Sequence, residues 1–294
     1  MIWGRAGCLV AAVSIAACAP EPAPDFDSPA AAVYDAAADR YLVSNVGGGA
    51  VAKDGDGSIL AVSPIDGART VLARGGRDGA RLDAPRGMAL DGEALWVADV
   101  DVVRRFERAS GAPAGEFVIP GASMLWGVTV APDGVVYVSD VGLDADMAPT
   151  GTDAIWKITP SGEVSLLVQG PELGQPSAIS AQRAGIYAAG WRDGAFFQVD
   201  YRGVKTDLSR APKAQLSGLA RIEVEGYIRG QRAMVPTWFA ASWGGSAIYR
   251  FAMTGGVSAI DAVVDAPGGL AFDLRRRRLL VPLSKTNRLH VEQL

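Results

Sequence analysis

Short apolar runs, each bounded by Gly, Pro, Asn, Asp or Ser, recur along the chain, and no segment of about ten residues or more carries apolar positions at helical spacing. The pattern predicts strands and turns. It also repeats: an apolar strand, a turn, then a second strand ending in a small or acidic residue. The clearest copies pair Ala32 to Asp35 with Tyr41 to Asn45, Gly87 to Asp91 with Leu95 to Asp99, and Gly127 to Ala131 with Val136 to Asp140. Less regular copies pair Ala178 to Ala181 with Ile186 to Gly190, Gly218 to Arg221 with Trp238 to Ser242 across a long insertion, and Gly269 to Phe272 with Leu279 to Leu283. Pro132-Asp133-Gly134 and Pro160-Ser161-Gly162 mark turns. Most copies continue into two further strands, as in Ala154 to Ile158 and Val164 to Val168.

Six copies spaced about 46 residues apart fall inside the period of about 40 to 50 residues expected of four-stranded propeller blades. The expected fold is therefore all-β, a six-bladed β-propeller of four-stranded blades around a central channel, over residues 29–294. A barrel of alternating strands and helices would need helical patterns that this chain lacks. The last copy stops at Arg288 to Leu294 after a third strand, so residues near Asp25 to Pro29 are expected to complete that blade and close the ring.

Of the 294 residues, 49% are hydrophobic and 20% charged, which suits a folded chain better than a disordered one. The 28 Lys and Arg against 32 Asp and Glu give a net charge of -4, and no stretch interleaves basic residues with aromatics. Nucleic acid is not an expected partner. One histidine, His290, and two cysteines, Cys8 and Cys18, leave little for triad or metal chemistry. His290 falls in a terminal strand, and the Gly-x-Ser-x-Gly elbow of serine hydrolases is missing.

Met1 to Arg5 carries one positive charge, and the apolar stretch Ala6 to Ala17 is shorter than the roughly 20 residues of a membrane-spanning helix. It reads as a signal peptide over residues 1–17. Ile15-Ala16-Ala17-Cys18 resembles the bacterial lipobox, which implies a lipid on Cys18; the alternative is an ordinary signal cleaved nearby, with Cys18 incidental. Loss of the signal and lipidation would leave no free thiol. Residues 18–28 then form a tether, with Ala19-Pro20-Glu21-Pro22-Ala23-Pro24 an extended, semi-rigid spacer. By resemblance to bacterial sorting rules, the absence of Asp after Cys18 points to the outer membrane, with the domain facing the periplasm. A monomer anchored to the membrane is expected.

Tyr41 to Asn45, Pro85-Arg86-Gly87-Met88-Ala89 and Tyr137 to Asp140, in that order, resemble the gluconolactonase or senescence marker protein family of six-bladed propellers. The resemblance implies a metal-dependent lactonase or esterase, with one divalent cation held in the channel by a Glu and several Asn and Asp on the loops entering the innermost strands. Aligning the copies puts Ala30, Arg86, Trp126, Ser177, Ser217 and Gly268 at these mouth positions. The family's ligands are replaced: the chain reads Pro29-Ala30, Leu125-Trp126-Gly127, Pro176-Ser177-Ala178 and Leu216-Ser217-Gly218. A hard divalent ion wants about six to eight oxygens including carboxylates, so no metal cofactor is expected there.

What remains is a cation beside an aromatic, Arg86 and Trp126, with Ser177 and Ser217 near them as candidate ligand contacts. Either the pair receives an aromatic or anionic ligand, or Trp126 plugs the channel and Arg86 pairs with an acid. Asn45, Asp99, Asp140, Ser242, Trp191 and Trp243 are expected on the same rim, with Asp101 and Asp144 beyond. Asp99 and Asp140 could hold a displaced cation or bond to turn amides. Asp54-Gly55-Asp56-Gly57 lacks the terminal Glu of a calcium loop and reads as a hairpin turn. Arg275 to Arg278 falls on the opposite face, as a solvated turn or a contact for anionic lipid or a partner. Tyr227 to Pro236 lengthens the fifth copy, as a lid on the mouth or a cap on a blade edge.

Two functions compete. One is a non-catalytic envelope module that binds a small molecule or a protein. The other is a hydrolase with a metal relocated to Asp99 and Asp140, or a metal-free catalyst resembling the strictosidine-synthase branch of propellers.

Overall fold

Each copy of the repeat folds as one antiparallel sheet whose strands run in sequence order from the centre outward. The computed structural model describes residues 25–294 except 229–230, 253–255 and 261–263. Cys8, Cys18, the signal segment and the tether up to Pro24 lie outside the described residues. Blade 1 holds β1 (Pro29–Asp35), β2 (Arg40–Asn45), β3 (Ser58–Val62) and β4 (Arg69–Arg74); blade 2 holds β5 (Pro85–Asp91), β6 (Ala94–Asp99), β7 (Val102–Glu107) and β8 (Pro113–Val118). Blade 3 holds β9 (Leu125–Val130), β10 (Val136–Asp140), β11 (Ala154–Ile158) and β12 (Val164–Gln169); blade 4 holds β13 (Pro176–Gln182), β14 (Gly185–Gly190), β15 (Ala195–Val199) and β16 (Lys205–Arg210). Blade 5 holds β17 (Leu216–Ile228), β18 (Gln231–Ser242), β19 (Ala247–Phe251) and β20 (Val257–Ala259). Blade 6 holds β21 (Ala271–Asp273), β22 (Arg278–Leu283) and β23 (Arg288–Gln293). The fold is a six-bladed β-propeller, and no α-helix occurs among the described residues.

Burial follows from this layering. The second strands β2, β6 and β10 are buried almost end to end because a neighbouring blade covers each face, which explains their unbroken apolar runs. The outermost strands β8 and β16 are largely exposed and carry the polar residues. Six apolar clusters result, one between each pair of adjacent blades. Leu42, Ile59, Leu95 and Phe106 fill the seam between blades 1 and 2, and Phe239, Ile248, Leu279 and Val281 that between blades 5 and 6.

The ring closes between blades 6 and 1 by two devices. At the centre, the Gly269 N–H donates to the Ala30 carbonyl at 2.7 Å, and the Ala32 N–H donates to the Gly269 carbonyl at 3.0 Å. Toward the face opposite the mouth, Arg276 grips both oxygens of Asp39 at 2.8 and 2.7 Å, and the Tyr41 hydroxyl donates to Asp273 at 2.8 Å. Arg275 also reaches Asp39 at 2.9 Å, and Arg278 donates to the Pro64 carbonyl at 3.1 Å. The arginine run is thus built into the seam more than it is a free turn.

Two expectations need correction. Among the described residues blade 6 has three strands, and Asp25 to Pro29 does not pair with it. Instead Phe26 enters the core between blades 6 and 1, and the Ser28 N–H donates to Asn287 Oδ1 at 2.8 Å. Ser28, at φ 53°, turns the chain into β1, the centre of the next sheet. The insertion of the fifth copy is no lid on the mouth: β17 starts at the mouth and runs 13 residues, so its hairpin with β18 projects from the opposite face.

Candidate functional site

At the mouth the innermost strands slip register against their partners between Pro29 and Ala31, Pro85 and Met88, Pro176 and Ala178, and Leu216 and Gly218. Blade 3 slips at the same level, between Val138 and Asp140. Ala30, Arg86, Trp126, Ser177 and Ser217 all fall in these bulges, which bend a strand and re-aim its side chains. The glycine after the bulge is forced by the neighbouring backbone: a Cβ on Gly87 would stand 2.4 Å from the Trp126 carbonyl oxygen, and one on Gly218 would stand 2.3 Å from that of Gly268.

The bulged positions divide by chemistry. Ala30, Arg86, Trp126 and Gly268 line a mouth pocket of about 150 Å³, together with Val46, Ala50, Met147 and Trp243. Trp126 also borders a smaller space of about 60 Å³ within the channel, so it stands as the floor of one and the roof of the other. Its Nε1–H donates to the Ser217 carbonyl at 3.0 Å, and its ring lies 5.1 Å from that of Trp191, which in turn meets Trp243 edge-on at 5.5 Å. Trp126 thus borders both the mouth pocket and the space within the channel.

Arg86 does not take the acid that the reading of Trp126 as a plug assigned to it. Its guanidinium carbon lies 4.8 Å from the Trp126 ring centroid, and Nη2 donates to the Ala50 carbonyl at 2.9 Å. No ion pair joins it to an acid among the described residues, and its Nε–H is buried without an acceptor. Burial pulls the guanidinium pKa down to about 10, against a smaller opposing pull from the charge of Asp99. Trp243 Nε1 is likewise buried without a partner.

Ser177 and Ser217 are completely buried and turned away from this pocket. Ser177 Oγ donates to the Leu216 carbonyl and Ser217 Oγ to the Pro267 carbonyl, each on the next blade. Ser139 Oγ donates to the Ser177 carbonyl at 3.0 Å and Ser44 Oγ to the Arg86 carbonyl at 2.6 Å in the same manner. The serines form a belt that ties inner strands together. Their partners are backbone carbonyls of neighbouring blades, which carry no sequence signal.

The acidic strand ends are clamps. Asp99 accepts from the backbone N–H groups of Asp83 and Ala84 and from Arg104 Nε, with 2.5 Å to the latter. Burial raises its carboxyl pKa, opposed by Arg104. Asp140 accepts the N–H groups of Ser123, Met124 and Gly142, each at 3.0 Å. Asn45 Oδ1 accepts from the Asp27 N–H at 3.0 Å, and Ser242 Oγ donates to the Ala214 carbonyl at 2.7 Å. Each fixes the loop entering its blade. Asp144 accepts from the N–H of Asp146 and of Ala148, and Asp101 pairs with Lys53 at 2.7 Å. Asp54 to Gly57 lies at the end of the long hairpin connection 46–57 between the paired strands β2 and β3, where Asp54 accepts from the Asp56 N–H. Among the described residues no three His, Cys, Asp or Glu side chains converge as a metal-binding group. His290 faces Glu292 at 3.0 Å on the outer strand β23.

No protein-family model matches the chain. No curated protein sequence matches it either. Solved structures do. A protein assigned as a gluconolactonase is 16% identical at a TM-score of 0.64, over 89% of this chain and 87% of that one. The virginiamycin B lyase of Staphylococcus aureus is 15% identical at 0.57, over 90% and 94%. An auxiliary nutrient binding protein of Bacteroides thetaiotaomicron is 9% identical at 0.67, over 92% and 70%. At these identities the likeness shows the fold, which hosts a hydrolase-type family, a lyase and a binding protein alike.

Proposed function

We propose that the protein is a non-catalytic binding module that takes a small anionic ligand in the mouth pocket and is held at the cell envelope by a lipid on Cys18. The observation that carries the first part is Arg86, a deeply placed cation at the pocket wall with an aromatic face beneath it and no carboxylate paired to it. A half-buried charge without a counter-ion is partly desolvated, and an incoming anion relieves that cost. The hydrolase reading draws no comparable support. The Asp99 and Asp140 oxygens that would hold a relocated metal already accept backbone N–H groups. The anchor rests on the Ile15-Ala16-Ala17-Cys18 pattern and the proline spacer after it.

The test is a thermal-shift screen of small anions on the full chain carrying Cys18→Ser, followed by calorimetry with Arg86→Ala. Loss of a charge-assisted hydrogen bond costs about 1.5 to 3 kcal/mol, so Arg86→Ala should weaken a true ligand about tenfold to a hundredfold. Hits indifferent to Arg86 would overturn the reading. So would turnover of lactones or aryl esters that depends on Asp99 or Asp140.

A further inference from the structure

We infer that the occupant of the mouth pocket is a monoanionic carboxylate carrying a single planar ring, its oxygens shared between Arg86 and the Trp243 indole N–H. This rests on the anion-binding reading above and narrows it. Three features of the pocket converge on this class.

The first is charge. Among the described residues Arg86 is the one charged side chain in the lining, against Ala30, Val46, Ala50, Met147, the two tryptophans and the neutral Ser28 and Ser284. A phosphomonoester carries about -1.5 to -2 at neutral pH and would leave charge uncompensated among apolar walls. A carboxylate is matched one to one.

The second is hydrogen-bond sense. Of the four buried side-chain atoms without partners among the described residues, the two on residues lining this pocket, Arg86 Nε and Trp243 Nε1, are both donors that can never accept. Two donors suit two carboxylate oxygens. A neutral amide presents one oxygen where a carboxylate presents two, and brings N–H groups that neither of these donors can meet.

The third is size. About 150 Å³ is close to the volume of a dry protein cavity that holds one benzene ring. A fused two-ring ligand exceeds it. The planar guanidinium and the Trp243 ring, which stands edge-on to Trp191, give a flat occupant faces to lie against.

Both N–H groups are covered, so a ligand oxygen reaches them only when a cover moves. The β2 to β3 connection is the backbone packed beside them: Ala50 accepts from Arg86 Nη2, and Ala50 and Val51 pack with the cluster of Trp126, Trp191 and Trp243. Gly47, Gly48 and Gly49 immediately precede Ala50 and give that connection unusual backbone freedom.

The experiment uses benzoate as the probe, by calorimetry on the full chain carrying Cys18→Ser, beside benzamide, phenyl phosphate and 2-naphthoate. The expected result is benzoate binding at least tenfold tighter than each of the three. Trp243→Phe keeps a ring and removes the donor, and should weaken benzoate about tenfold to a hundredfold. Phenyl phosphate binding tighter than benzoate in an Arg86-dependent way would overturn the ligand class and leave the anion pocket standing. No anion binding in an Arg86-dependent way would remove the anion pocket as well. Benzoate affinity unchanged in a Trp243→Phe protein with a normal melting curve would overturn the two-donor arrangement. The benzamide comparison needs no variant, so it decides the question even where Trp243→Phe fails to fold.

Discussion

Arg86 and Trp126 come from neighbouring blades, and the guanidinium carbon of one lies 4.8 Å from the ring centroid of the other. The stacking compensates only part of what burial costs the cation. A cation–π contact contributes about 0.5 to 2 kcal/mol, whereas the fall of the Arg86 pKa to about 10 corresponds to roughly 3 kcal/mol against the charged form. Arg86→Met keeps much of the volume and removes the charge. It should raise the melting temperature of the ligand-free protein by about 2 to 6 °C and abolish anion binding, a trade of stability against function. Differential scanning calorimetry checks the first half, and a fall in melting temperature would mark Arg86 as a structural residue instead.

The serine belt predicts the opposite pattern. Ser177→Ala and Ser217→Ala each remove a donor from a buried carbonyl on the next blade. Leaving such a group unsatisfied costs about 1 to 3 kcal/mol, so each variant should melt about 2 to 10 °C lower. Benzoate affinity should be unchanged in both. A loss of affinity with normal stability would return these hydroxyls to the pocket.

The repeat was legible because blades are built from strands covered on both faces, and that requirement writes unbroken apolar runs such as Tyr41 to Val43 and Leu95 to Val97 into the chain. Alignment of the copies also located the bulged positions of blades 1 to 5, since each is followed by Gly or Ala. What side chains do at those positions was hidden. Ser177 and Ser217 look like candidate ligands in sequence, yet their partners are carbonyls roughly 40 and 50 positions away along the chain. Asp99 and Asp140 resemble metal ligands until their oxygens are seen to accept from Asp83, Ala84 and Arg104 in one case and from Ser123, Met124 and Gly142 in the other. The hairpin direction in blade 5 follows from strand parity: an insertion after an innermost strand must leave on the face away from the mouth.

Those same clamps carry a prediction about metals. Asp140→Ala leaves three backbone N–H groups without their acceptor and should destabilise the protein by more than about 2 kcal/mol in any buffer. A cation at one hundred times its dissociation constant would add about 2.7 kcal/mol, or roughly 5 to 10 °C, to the wild type. Millimolar calcium, manganese or zinc should move the wild-type melting temperature far less than that. A metal-induced rise lost in Asp140→Asn would revive the relocated metal site.

The seam between blades 6 and 1 should be acid-sensitive. Arg276 and the Tyr34 hydroxyl hold the Asp39 carboxyl well below its ordinary range. The folded state therefore binds its proton less readily than the unfolded state, so the stabilisation is present above the ordinary value of 3.8 and is lost as pH falls below it. Asp39→Asn should melt lower than the wild type at pH 7, and the gap between the two melting temperatures should begin to narrow as pH falls below about 4 and go on narrowing below 3. Parallel curves across that range would show that Asp39 does not contribute through its charge.

Attachment to the envelope is tested at Cys18. The apolar segment ends in Ile15-Ala16-Ala17 directly before it, and three prolines at alternate positions follow, which suits a processed lipoprotein with a stiff spacer. One acyl chain gives only marginal membrane binding, so stable anchoring needs the several chains that lipoprotein processing adds. A fatty-acid analogue should therefore label the wild-type protein in cells and leave Cys18→Ser unlabelled, and the wild type alone should sediment with membranes. Benzoate affinity should be the same for the lipidated and Cys18→Ser proteins, because the pocket is built from residues of the propeller itself. Equal labelling of the two, or a mature amino terminus elsewhere than Cys18, would sink the anchor and leave the pocket untouched.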